Sequence, residues 1–266
     1  MSSIVTDQGI VPYETYGQGA PVLLLHGWLG SWAPWQRTME RLGRHYRTYA
    51  LDFWGFGESG KKRSTYTVAD FVDLVDQFMD RLGIPAAPIV GHSMGGTVGL
   101  SVAIRYPDRA QKVVIVGSPL VGSSLNLFLR LAGYKPIAFA VYNLPALLRL
   151  GIRLFSPWIA RQAGEWYLMQ ERDLSRTSLE SFLLSIASLR RTDLRPRLSE
   201  VQVPVLGIFG QGDNIVDPRQ HQVLAAGVRH ARVEIMAGSR HFPMLDEPDR
   251  FNAVLKSFLD GAPGGE

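Results

Sequence analysis

The stretch Pro88-Ile89-Val90-Gly91-His92-Ser93-Met94-Gly95-Gly96 leaves this chain few folds to choose from. A short apolar run reads as a buried strand, and the spacing of Thr97 to Ala103 suits a helix packed on a sheet. A strand that turns this sharply into a helix brings its two backbone limbs together. Gly91 and Gly95, flanking Ser93 at two residues on either side, sit where side chains have no room. The serine at the tip is then held in strain, with its Oγ presented outward. The helix that starts behind it aims backbone N–H groups, Met94 N–H first, at any negative oxygen formed there. Taken alone, the pattern is equally a helix N-cap serine, so its context has to decide.

Strand signals recur along the chain. They fall at Val11 to Tyr16, Pro21 to Leu25, Tyr46 to Leu51, Val113 to Gly117, Val203 to Gly210 and Arg232 to Met236. Helical stripes separate them, at Trp32 to Leu42, Tyr66 to Leu82, Arg219 to Ala226 and Pro248 to Leu259. This alternation predicts an α/β protein with a mostly parallel, doubly wound sheet, whose ligands bind at the carboxyl ends of the strands. His26-Gly27-Trp28, the glycine- and aromatic-rich loop after Asp52, and Ser93 all fall at those ends. Trp28 N–H is a candidate second donor beside Met94.

The pattern breaks between Ser118 and about Leu198, where strand signals stop. Leu125 to Leu131, Ile137 to Leu150, Trp158 to Met169 and Leu179 to Leu189 read as helix pieces, separated by prolines and glycines. We expect a core of residues 1–118 and 199–266 with a helical cap, 119–198, inserted over the sheet edge. No Asp or Glu occurs from Arg109 through Gly164, while seven Lys and Arg do: Arg109, Lys112, Arg130, Lys135, Arg149, Arg153 and Arg161. Two readings compete: an apolar inner face that lines a substrate pocket, and a basic amphipathic surface that settles on anionic lipid. The pocket is preferred, because an insertion above a site needs an apolar inner face for its own packing.

Composition excludes several classes. With 28 Lys+Arg against 24 Asp+Glu the charge is +4, and Lys61-Lys62-Arg63 is a short solvated loop cluster, so no nucleic-acid partner is expected. The absence of cysteine rules out disulfides, thiolate catalysis and cysteine-ligated metals. The six histidines show no metal-ligand spacing, and neither metal nor cofactor is expected. No apolar run reaches the length of a membrane span. Met1 to Asp7 lacks the basic start and apolar stretch of a secretory signal, which makes cytoplasmic the expectation.

A serine hydroxyl needs a base, and the base an orienting carboxylate. His241 lies in a loop after the last strand and Asp213 in a loop after the strand before it, with Asp217 a rival farther from the strand end. His26 and His92 read as packed, structural histidines. Taken together, His26-Gly27-Trp28, Gly91 to Gly96, Gly210-Gln211-Gly212-Asp213 and His241 before Pro243 and Glu247-Pro248 resemble the α/β-hydrolase fold family over nearly the whole chain outside the cap. The resemblance implies Ser93 as nucleophile, His241 as base, Asp213 as acid, and the Trp28 and Met94 N–H groups as oxyanion hole. Arg240 departs from it, since relatives commonly have glycine there.

A serine rather than a carboxylate nucleophile suits acyl transfer, so the expected activity is that of a serine carboxylic ester hydrolase. Its expected substrates are small apolar acyl or aromatic esters, with Phe128, Tyr142 and Trp158 as pocket candidates in the cap. Carbon–carbon bond hydrolysis of ring-cleavage products, thioesterase, lysophospholipase or lipase and peroxidase-like chemistry share this machinery. A non-catalytic binding member is disfavoured because all three triad candidates are present.

Overall fold

The computed structural model describes residues 1–61, 65–132, 134, 136 and 144–261. Eight strands form one sheet: β1 (Ser2–Thr6), β2 (Gly9–Tyr16), β3 (Ala20–Leu25), β4 (Tyr46–Leu51), β5 (Ala87–His92), β6 (Ala110–Val116), β7 (Val205–Gly210) and β8 (Arg232–Met236). Their order is β1-β2-β4-β3-β5-β6-β7-β8. β1, β2 and β4 pair antiparallel at one edge, and from β4 to β8 every neighbour is parallel. β1 had no counterpart in the sequence reading. It is an edge strand in which only Ile4 and Thr6 are buried, too short and polar to stand out.

The parallel strands are apolar along their length because both faces are covered. Leu23, Leu25, Ile89, Val113 and Ile115 pack to one side, with Phe71, Val75 and Phe78 of α2 (Val68–Arg81) and Val98 and Val102 of α3 (Met94–Arg105). The alternate residues Val22, Leu24, Val90, Val114 and Val116 pack to the other. There they meet Met39 and Leu42 of α1 (Gln36–Leu42) and Phe251, Leu255 and Phe258 of a C-terminal helix, Pro248–Leu259. Thr67 starts α2 with a capping box, accepting from Asp70 N–H while the Asp70 carboxylate accepts from Thr67 N–H.

Between β6 and β7 the described residues form four α-helices, α4 (Leu127–Ala132), α5 (Pro145–Ile159), α6 (Ala163–Ser175) and α7 (Leu179–Arg191), with isolated bridges at Val121–Asp193 and Leu125–Val216. Residues 137–143 of the expected Ile137 to Leu150 piece lie outside the described residues. Trp158 does not open a helix, as the sequence reading had it, but lies in the last turn of α5, and the break falls at residues 160–162. The proline at 157, read as a breaker, sits inside α5. It cannot donate to the Arg153 carbonyl, but Ser156 Oγ does so instead at 2.8 Å, so the helix continues past it.

After β7 come α8 (Gln220–Gly227), α9 (Pro243–Asp246) and α10, the Pro248–Leu259 helix. Among the described residues no helix is long and apolar enough to cross a membrane.

Candidate active site

Strand order reverses between β3 and β5, and the crevice at their carboxyl ends holds the site. Ser93 joins β5 to α3 at φ 51 and ψ −119, a backbone conformation that side-chain-bearing residues rarely adopt. The two limbs of the turn touch, and a Cβ on Gly91 would collide with the Gly95 carbonyl. Ser93 N–H donates to Val116 O on β6 at 2.8 Å, which pins the turn to the sheet. Ser93 is the N-cap of α3, yet its side chain makes no capping bond, so the N-cap reading does not account for it.

Asp213 and His241, 28 residues apart, meet in a buried pair, with His241 Nδ1 2.8 Å from Asp213 Oδ2. The other carboxylate oxygen, Oδ1, accepts from Ile215 N–H at 2.8 Å and Val216 N–H at 3.0 Å. A carboxylate held by two backbone donors offers Oδ2 purely as an acceptor. His241 therefore carries its proton on Nδ1 and leaves Nε2 as the basic nitrogen. Asp217, the rival acid, is turned away and clamped by Arg219. Beneath the pair Gly117 sits at φ +54, where a Cβ would come within 3.2 Å of Asp213 Oδ2 and 3.3 Å of His241 Nδ1. In the sequence Gly117 marks only the end of a strand. His92 packs on Phe242 and bonds the His241 carbonyl through Nε2 at 2.9 Å. Burial drives its pKa well below the ordinary histidine value, so it donates as a neutral ring and fixes the His241 backbone.

Across the crevice His26 does similar work. Phe53 N–H donates to its Nε2 at 2.9 Å, so the ring proton is on Nδ1, which bonds Gly27 O at 2.7 Å. Burial lowers its pKa to about 4 and keeps the ring neutral. Gly30 N–H also donates to Gly27 O, at 3.2 Å. In a trans peptide N–H and C=O point oppositely, so fixing the Gly27 carbonyl fixes the direction of Trp28 N–H. The indole of Trp28 packs at a tilt against the Phe182 ring of α7 and donates to the Phe182 carbonyl at 3.2 Å. Met94 N–H is the first of its helix and has no acceptor within it.

Ser93, His241, Gly27 and Trp28 border one cavity of about 130 Å³ beneath α5 and α6. A larger apolar groove of about 720 Å³ lies beside it, lined by Phe128, Leu148, Phe155 and Trp158, and the two share Phe128, Ile152, Ile159 and Ile215 as walls. Phe128 thus faces both spaces and Trp158 only the groove, while Tyr142 lies outside the described residues. The helices between β6 and β7 are tied to the site by backbone: Ile159 O, the last carbonyl of α5, accepts from His241 N–H at 3.0 Å.

A family model described as alpha/beta hydrolase fold matches residues 20–248. The chain belongs to the alpha/beta hydrolase fold family. It is 28% identical to 3-oxoadipate enol-lactonase 2 of Acinetobacter baylyi, covering 92% of this chain and 93% of the relative. It is 30% identical to 2-hydroxy-6-oxo-6-phenylhexa-2,4-dienoate hydrolase of Comamonas testosteroni, covering 94% and 91%. The crystal structure of a thermophilic esterase from Thermogutta terrifontis superposes with a TM-score of 0.85 at 21% identity, over 98% of each chain, a likeness of fold. Within this alpha/beta hydrolase the Arg240 departure costs no backbone strain. Arg240 is absent from the non-glycine residues of positive φ, and its N–H donates to Asp246 Oδ2 at 2.8 Å.

Sequence reasoning missed the polar end of the cavity, formed by Gln170 and Asp173 of α6. Trp166, Met169, Gln170 and Asp173 are spaced to share one helix face, and that spacing was the available signal. Gln170 Nε2 donates to Leu29 O at 2.6 Å, and Ser31 Oγ lies 2.9 and 3.0 Å from the two oxygens of Asp173. Burial raises Asp173 from its ordinary 3.8 to about 6. Asp52, which also repels it, is raised to about 6 by burial even though it accepts from Trp32 and Glu58 N–H.

Folded Asp173 keeps its proton to about pH 6, while in the unfolded chain it ionises near 3.8. The folded state binds the extra proton between these values, so this contribution to stability falls as pH rises from about 4 to about 6. Asp173→Asn lacks that dependence. In urea unfolding the variant is expected to gain on wild type from about pH 4 to about pH 7. A wild-type-minus-variant difference that is flat over this range would show that the carboxyl ionises normally in the fold.

Proposed function

We propose that the chain is a serine hydrolase that cleaves carboxylic esters with apolar acyl or aromatic groups through an acyl-enzyme. The observation that carries this reading is the buried Asp213–His241 pair at the edge of the cavity that the strained Ser93 enters. In this cycle His241 Nε2 takes the Ser93 proton as Oγ attacks the ester carbonyl. The N–H groups of Trp28 and Met94 receive the oxyanion, and Asp213 holds the imidazole in its tautomer and stabilises the imidazolium. His241 then protonates the leaving alcohol. Water repeats the sequence, adding to the acyl carbon and releasing the acid and Ser93. The insertion acts as a cap over the cavity, and the adjoining groove takes the acyl chain. The similarity to an enol-lactonase, whose name specifies an ester bond closed into a ring, supports the ester reading.

The 30% identical relative supports a second reading, carbon–carbon bond hydrolysis of a ring-cleavage dienoate. A p-nitrophenyl ester series from acetyl to long acyl, run beside a 2-hydroxy-6-oxo-dienoate, separates the two. On the ester reading kcat/KM rises about fourfold per methylene up to a medium chain, following the roughly 0.8 kcal/mol gained per buried CH₂. A flat ester series with fast dienoate turnover would transfer the assignment to carbon–carbon cleavage.

A further inference from the structure

Of fifteen large apolar side chains exposed among the described residues, ten lie between Leu127 and Leu168. A soluble monomer scatters such residues singly; a cluster marks a surface that meets something. The cluster is ordered along α5. Leu150, Leu154 and Trp158 recur at four-residue spacing, each more than half exposed, and make a ridge on the outer face. Arg149 and Arg153 are exposed one position earlier in each turn. Arg130 on α4 and Arg161 beyond α5 are exposed as well. None of these four arginines has an ion-pair partner among the described residues, in contrast to Arg37, Arg176 or Arg219 elsewhere on the surface. From residue 109 to 164 the chain supplies no carboxylate to neutralise them.

We propose that the outer face of α5, with neighbouring α4, docks on an anionic lipid surface. Leucines and a tryptophan on one ridge with arginines alongside suit the boundary between headgroups and acyl chains. There the apolar ridge is buried, the indole sits at headgroup level, and the arginines reach phosphate oxygens. The sequence alone favoured a buried role for this helix's apolar residues. The structure gives α5 two apolar faces: Leu148 and Ile152 turn to the groove, Leu150 and Leu154 turn outward, and Trp158 borders both. The groove therefore adjoins the docking face and leads, through the shared walls Ile152 and Ile159, to the cavity of Ser93. On the ester-hydrolase reading above, its substrates are lipid-borne esters whose acyl chain slides from the bilayer into the groove.

The test is co-sedimentation of the whole protein with phosphatidylcholine vesicles, with and without phosphatidylglycerol, at low and raised salt. Two double variants avoid the groove walls: Arg149→Glu/Arg153→Glu and Leu150→Asp/Leu154→Asp. Circular dichroism melts and p-nitrophenyl butyrate hydrolysis report whether they fold. Wild type is expected to bind phosphatidylglycerol vesicles, less at raised salt. A basic residue near an anionic surface strengthens binding about fivefold, so the arginine reversal should weaken it by about 25-fold or more. The aspartate pair should abolish it, and both variants should keep butyrate hydrolysis. No wild-type binding above the phosphatidylcholine background overturns the proposal, as does binding that both variants retain. So does concentration-dependent self-association, lost in Leu150→Asp/Leu154→Asp, without vesicle binding: a second copy would then cover this face. Vesicle binding that follows these expectations in a wild type that cleaves no ester leaves the docking face standing and removes the ester-hydrolase reading.

Discussion

Ser93→Ala is expected to lower ester turnover about a millionfold, the usual cost of removing a serine nucleophile whose base and acid remain. The folded state should survive. Ser93 Oγ makes no capping bond to α3, and the turn is held by backbone, through Ser93 N–H on Val116 O. A fluorophosphonate probe should add one adduct mass to wild type and none to the variant. Activity within about a hundredfold of wild type would remove Ser93 from the nucleophile's role, since no residual oxyanion stabilisation reaches that rate.

Asp213→Asn is the second large effect, about ten-thousandfold in kcat, by a different route. The asparagine oxygen can still accept from Ile215 and Val216 N–H, so the loop keeps its shape and the amide NH₂ faces His241 Nδ1. A donor there forces Nδ1 to accept and places the ring proton on Nε2, the nitrogen that takes the serine proton in the proposed cycle. Asp217→Asn is the control: it breaks a surface clamp with Arg219 and should leave kcat at the wild-type level. Loss of turnover in Asp217→Asn but not in Asp213→Asn would reverse the assignment of the acid. Combining Asp213→Asn with Ser93→Ala should cost little more than Ser93→Ala alone, because the residues act as a unit.

How far these residues could be read beforehand follows from what fixes them. β4, β8 and α10 run over the same residues as expected, because turns bound the two strands and Pro248 opens the helix, which buries Phe251, Leu255 and Phe258 on one face. β1 was invisible because an edge strand with two buried residues carries little pattern. Pro157 misled because a hydroxyl one residue earlier restores the lost hydrogen bond, a compensation that depends on a rotamer. Asp173 escaped because a carboxyl in a helix is ordinarily solvated; only the packing of α6 on Ser31 and Leu29 buries it.

The sequence by itself determined the parallel part of the sheet, the sharp turn at Ser93 and the placement of Asp213 and His241 after successive strands. These depend on local spacing: a period of two along strands, 3.6 along helices, and glycine where two backbones touch. Tertiary structure alone decided which of two acids meets His241, which proton His26 carries and hence where Trp28 N–H points, and that α5 turns apolar side chains both inward and outward. Each of those rests on groups far apart in the chain, whose meeting no local pattern records.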